Sequence, residues 1–188
     1  MLRLRNLEEI EALLLRVPGI VQQFEVRDPE FILSLKTWLS EAATTLADNR
    51  MPISAEVAGY RGALISAERG FWDGAEPRGR SNARKLREAR AAGLLKQASG
   101  AVQSAIAARR GQVDEAERIM RQIVAVSYHI GLLQPDPGGN RSTYLRSTWQ
   151  AISKQAEIAS LVVHVVALIG NTDVLIELDR AIAQIGTL

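Results

Sequence analysis

Apolar residues recur along most of this chain at spacings of three and four, the repeat of one face of an α-helix. The clearest run is Ile32, Leu35, Leu39, Ala42 and Leu46. It follows Asp28-Pro29-Glu30, which supplies a cap, a proline for the first helical position and an acid for the positive helix end. Before it, Leu7, Ile10, Leu13, Leu14 and Val17 predict a helix that starts at Asn6, with Glu9 completing a capping box, and stops at Pro18-Gly19. Val57, Tyr60, Leu64 and Phe71 predict a third helix, capped by Ser54. A fourth, rich in alanine, is expected from Ser81 to Arg110, where Gly111 offers a left-handed stop. Ala116, Ile119, Ile123, Val126, Ile130 and Leu133 mark a fifth that starts near Val113.

Pro135-Asp136-Pro137-Gly138-Gly139-Asn140 is the strongest breaker in the chain. Beyond it, a sixth helix is expected from Ser142 to Ile169, with Leu145, Trp149, Ile152, Ala156, Ala159, Val163 and Val166 as its spine. Its second half is apolar nearly all round, the pattern of a helix buried in a core or against another subunit. Thr172 then caps a last helix whose Leu175, Leu178, Ile182 and Ile185 share a face. No segment alternates with period two. The pattern predicts an all-α fold: one domain over residues 1–188, a bundle of about six or seven helices with a long, buried sixth. The breaker would subdivide it into a five-helix front, 1–134, and a two-helix C-terminal hairpin, 141–188.

One stretch, Ala108-Arg109-Arg110-Gly111-Gln112-Val113-Asp114-Glu115-Ala116-Glu117, resembles the turn of helical hairpins in tetratricopeptide and translin-like proteins. It occurs once, without the roughly 34-residue period of a solenoid. It therefore identifies no family.

Composition narrows the chemistry. The 188 residues are 47% hydrophobic and contain no cysteine, so a thiol nucleophile, an iron–sulfur cluster and a cysteine zinc site are excluded. The longest apolar run, Ile158 to Ile169, falls short of the about 20 residues that span a bilayer. With no signal-like start, a cytoplasmic protein is expected, without a membrane partner. Neither a G-x-G-x-x-G nor a G-x-x-x-x-G-K pattern is present. The two imidazoles, His129 and His164, belong to no paired-ligand spacing and read as ordinary helix positions. Asp173 and Glu177 stand one turn apart, but a carboxylate pair on one helix holds a divalent cation only with ligands from other helices. No catalytic residue, metal ligand or cofactor is assigned.

Charge changes the picture in one place. Residues 1–75 hold 8 basic against 11 acidic side chains, residues 76–121 hold 11 against 5, and residues 122–188 hold 4 against 5. Within the middle segment, Arg78, Arg80, Arg84, Lys85, Arg87 and Arg90 fall in thirteen residues with one acid, Glu88. Cations at a helix start oppose the helix dipole, so the cluster breaks a local rule. Phosphate contact would explain it, with Phe71 and Trp72 just upstream as stacking surfaces. A solvated face, or an arm against acidic residues of another subunit, would explain it too.

The expectation is a non-enzymatic helical interaction protein that self-associates or joins a larger complex. A nucleic-acid-binding subunit of a ribonucleoprotein or defence complex, contacting phosphates through residues 78–90, is the alternative. A helical-bundle enzyme with a metal or acid–base site between helices comes third.

Overall fold

The computed structural model describes residues 2–69, 80–133 and 138–185, with the backbone alone at Arg80–Asn82 and Ile185. The fold is all-α, with no strand among the described residues. The helices are α1 (Leu4–Leu15), α2 (Val17–Glu25), α3 (Phe31–Asp48), α4 (Ile53–Glu68), α5 (Arg80–His129), α6 (Arg141–Ser153) and α7 (Ala159–Ile185), with a 3-10 turn at Ala156–Ile158. The chain packs as two compact units, Leu4–Ala107 and Ala108–Leu188, and the division falls inside α5.

In the first unit α3 packs against α1, α2 and α4. Four positions of the 3-and-4 stripe of α3, Leu35, Leu39, Ala42 and Leu46, are at most 1% exposed, while Ile32 is half-buried; Trp38, off the stripe, is buried with them at 0%. Leu4, Leu7 and Ile10 of α1 and Val57 and Leu64 of α4 complete this core. Each such side chain contributes about 1.5–3 kcal/mol by leaving water. Asp28 Oδ1 accepts from the Glu30 N–H at 2.9 Å, but α3 starts at Phe31 with Glu30 at its N-cap, so Pro29 lies in the turn before the helix and does not take its first position.

Helix α1 begins before Asn6, and Pro18-Gly19 does not end the segment but opens α2. Proline lacks an N–H, and the first turn of a helix is where none is needed. Both α2 and α3 close with the paired hydrogen bonds of a Schellman motif: Asp28 N to Gln23 O and Arg27 N to Phe24 O, then Met51 N to Leu46 O and Arg50 N to Ala47 O. Arg27 (φ 58°) and Arg50 (φ 55°) stand at the left-handed position that glycine ordinarily takes. The same motif ends α5 with a glycine, Gly131 (φ 73°).

Gly111 does not stop a helix. Helix α5 runs through it without a break, and the hairpin-like stretch Ala108–Glu117 lies in the middle of that helix. Its buried positions explain why: Val102, Ile106, Arg109, Val113, Ala116, Met120, Ile123 and Ser127 continue one face in steps of four and three. Gly111 sits on the exposed side. A glycine there costs about 1 kcal/mol, far less than burial of the stripe returns.

The second unit corrects the expected sixth helix. It divides into α6 and α7, with Gln155 extended (φ −81°, ψ 120°) before the 3-10 turn. Asn140 caps α6, its side chain accepting from the N–H groups of Ser142 (2.9 Å) and Thr143 (3.4 Å). Leu145 and Ile152 are buried as expected, but Trp149 is only half-buried and Thr148 takes the inward place. After the turn, Ile158, Val162, Val165 and Ile169 face in, while Ala156, Ala159 and Val163 of the expected spine face out. A run apolar on every side carries no phase, so its inner face could not be read from spacing. Gly170 (φ 80°, ψ 160°) breaks α7 one residue before the expected start region of the last helix.

Candidate functional site

The basic cluster is only partly assembled in space. Arg78, Phe71 and Trp72 lie outside the described residues, and so does the side chain of Arg80. Arg84, Lys85, Arg87 and Arg90 occupy the early turns of one continuous helix, α5. Arg84 is 63% exposed and donates from Nε to Glu88 Oε1 at 2.7 Å, a pair one turn apart. Lys85 and Arg90 are exposed. Arg87 is half-buried, with its Nε buried and without a hydrogen bond among the described residues. Arg84 and Arg87, neighbours on this helix, therefore differ in exposure: Arg84 stands in solvent and Arg87 only in part.

Two members of the cluster line a cleft. Arg84 and Lys85, with Glu88 and Ala89, face Phe24, Glu25 and Arg27 at the end of α2 across a volume of about 650 Å³. Three cations stand there against two carboxylates. Arg27 and Lys85 make no ion pair among the described residues, whereas Arg84 is held by Glu88. The Phe24 ring lies 5.3 Å from that of Phe31 at a 49° tilt, which fixes one of its sides against α3. Arg27 was not legible as part of this site from spacing, because it lies over fifty residues from the cluster. The signal that could have found it is the helix end that Asp28-Pro29 announces.

A second polar constellation lies inside the Ala108–Leu188 unit. Arg109, Asp173 and Glu177 are all less than a tenth exposed. Arg109 donates from Nη1 to the Leu168 carbonyl at 2.7 Å and to Gln112 Oε1 at 3.3 Å, and its Nη2 stands 3.6 Å from Asp173 Oδ2. Glu177 accepts from Arg180 Nη1 at 2.8 Å. The carboxylate pair Asp173 and Glu177 thus faces cations, and each member is accounted for as a buried, compensated charge. No group of three or more side chains of metal-binding type occurs among the described residues.

His129 and His164 are both exposed. His164 stands close enough to Glu115 to favour its charged form, but the larger influence on that carboxyl is the Arg118 fork, bonded at 2.9 and 2.6 Å. Together they hold Glu115 below the ordinary carboxylate range. The Tyr60 phenol is raised above its usual value, chiefly by its hydrogen bond to the Glu56 carboxylate. Both are exposed helix pairs one turn long and assemble no reaction centre.

The stretch Ala156–Gln184 has the length and mean hydropathy (1.8) of a membrane-crossing helix, a longer run than the twelve residues seen in sequence. Gly170 interrupts it with non-helical backbone, and it carries the buried Asp173 and Glu177. A third of its apolar window is buried within the chain. Against protein families, characterised proteins and solved structures alike, comparison of the chain returns no match.

Proposed function

We propose that the protein is a non-enzymatic helical interaction protein of the cytoplasm that associates with itself through the outer side of α7. One observation carries this reading: Val163 is 69% exposed in a run where every residue from Leu161 to Ile169 except His164 is apolar. Ala167 is exposed beside it in the helical repeat, and Leu161 and Val166 are half-buried. In the same unit Tyr128 is 61% and Ile130 46% exposed. Exposed apolar side chains also occur elsewhere, Leu15 (80%) among them, but Val163 stands within the most continuous apolar run of the chain, and covering such a run is what an interaction surface does. A two-fold partner would bury the same face on both copies.

Light scattering tests it. The parent chain is expected to run at a multiple of 20.6 kDa. Val163→Asp places a charge in that contact and is expected to return the mass to one chain with helicity unchanged. A parent that stays monomeric at its highest attainable concentration overturns the reading.

A second reading has its own observation. Arg84 and Lys85 are exposed cations in the first turns of α5, with Arg27 beside them and Glu25 and Glu88 as the acids nearby, and this excess of cations favours contact with the phosphates of a nucleic acid. Binding of a labelled single-stranded oligonucleotide is then expected to fall with salt at a log–log slope on the order of −2 to −4, about 0.7 unit per phosphate neutralised on a single strand. Arg84→Glu with Lys85→Glu is expected to abolish it and leave the circular dichroism spectrum as it was. Binding that survives the double reversal removes this reading.

A further inference from the structure

We infer that the cleft between the end of α2 and the start of α5 is a binding site for an organic phosphate of nucleotide size. Its phosphate would be held by Arg27, Arg84 and Lys85 and its ring set against Phe24. The inference rests on the second reading above, that Arg84 and Lys85 meet phosphate, and adds the ligand class and the residues outside the basic cluster.

Three features of the cleft support it. Its volume, about 650 Å³, falls in the range of small-molecule pockets, roughly 300–1,000 Å³. Its cations come from two separate helices, and Arg27 and Lys85 have no ion-pair partner among the described residues. A cation left unpaired beside a paired one is the arrangement an anion completes. The third feature is the combination of an aromatic ring with those cations. Phe24 offers an apolar surface at the cleft while Phe31 supports its ring from α3. A ring with a phosphate satisfies both halves of such a lining, stacking on one and forming charge-assisted hydrogen bonds with the other.

The placement of Arg27 adds to the argument. It occupies the left-handed position that closes α2, at φ 58°, where glycine costs less. A strained residue at a cleft is a reason to look for function there. The acids set the selectivity. Among the described residues, Glu25 and Glu88 leave the lining one positive charge in excess, a balance that favours a phosphate monoester over a densely charged polyanion. Glu88 also holds Arg84 and would have to release it when phosphate arrives.

The same phosphate chemistry could come from a free mononucleotide or from one nucleotide of a strand, and the experiment separates the two. Adenosine monophosphate, inorganic phosphate and a single-stranded oligonucleotide are each titrated by calorimetry into the full chain, with amide shifts of Arg27 and Lys85 followed by NMR. Adenosine monophosphate is expected to saturate and to shift both amides, with inorganic phosphate binding more weakly for want of the ring. Arg27→Gly keeps the left-handed turn and removes the cation. Its Kd is expected to rise about tenfold, with an undiminished melting temperature. Glu88→Gln frees Arg84 and is expected to tighten binding severalfold, an opposite sign that no folding defect would produce. If the oligonucleotide competes with adenosine monophosphate, the strand uses this cleft as well. An oligonucleotide that binds while adenosine monophosphate does not overturns the cleft assignment alone; if neither binds, the phosphate reading of Arg84 and Lys85 falls with it. Binding unchanged in both Arg27→Gly and Glu88→Gln also overturns the assignment.

Discussion

Trp38→Ala is expected to destabilise the Leu4–Ala107 unit by about 3–5 kcal/mol, as removal of a fully buried tryptophan ordinarily does. Trp38 is 0% exposed, beside the buried stripe of α3. It also carries a second task. Its indole Nε1 donates to the Leu13 carbonyl at 2.8 Å, in the last turn of α1, where that carbonyl also accepts from the Arg16 N–H at 3.2 Å. The alanine variant would leave a cavity and also strip a helix end of a donor. For a chain of this length the melting transition of that unit should fall by on the order of 10 °C. Trp38→Phe separates the two contributions, since it keeps most of the volume and loses the donor. Its cost is expected near 1–2 kcal/mol. Thermal unfolding followed by circular dichroism checks both, and an alanine variant that melts within about 2 °C of the parent would refute the packing argument.

That tryptophan also shows what the sequence could and could not deliver. The α3 stripe was legible because polar residues separate its apolar ones, so the 3-and-4 spacing carries a phase. Trp38 itself lies between stripe positions Leu35 and Leu39 and was not singled out, because a stripe written as one residue per turn omits its flank. The second half of the spine expected for the sixth helix, which lies in the 3-10 turn and α7, departs from the structure for the opposite reason. With Leu161, Val162, Val163, Val165, Val166, Ala167, Leu168 and Ile169 all apolar, any face could be the inner one. What chose Val162, Val165 and Ile169 was the re-phasing at Gln155 and the 3-10 turn, a backbone event with no proline or glycine to announce it.

Glycine misled in one place and informed in another. Gly111 reads as a stop in the sequence, but the buried stripe of α5 continues past it, and an exposed interior glycine costs only about 1 kcal/mol. Gly170 breaks α7 because its φ of 80° with ψ of 160° is open to glycine and costly to other residues. The candidate site was legible by half. A run of cations in adjacent turns is visible in any sequence, but Arg27 and Phe24 join Arg84 and Lys85 only after α2 has folded back along the chain. The left-handed arginine that closes α2 left no trace in composition.

Arg109 was hidden within that same overridden stop, and its removal is the other large effect expected. It occupies an inward position of α5 between Ile106 and Val113, where an apolar residue would complete the stripe. The reason for a cation is the break at Gly170. Interrupting α7 leaves the carbonyl of Leu168 at the end of one helical half and places Asp173 in the first turn of the next. The guanidinium answers both, with a hydrogen bond to Leu168 O at 2.7 Å and its charge 3.6 Å from Asp173. Both side chains are less than a tenth exposed, so water screens neither. Arg109→Met is expected to cost about 3–5 kcal/mol, because it removes a cation 3.6 Å from a buried carboxylate and the donor that Leu168 O accepts from. Glu177 keeps its own partner, Arg180. The double variant Arg109→Met with Asp173→Leu removes both charges together and is expected to regain much of that loss, since an apolar pair of similar volume often replaces a buried ion pair without penalty. Urea unfolding of the parent, both single variants and the double variant measures this as a coupling between positions, expected at about 1–3 kcal/mol. If the two single losses simply add, the stability of the joint at Gly170 comes from the Leu168 hydrogen bond and the surrounding packing, and the charge of Asp173 plays no part in it.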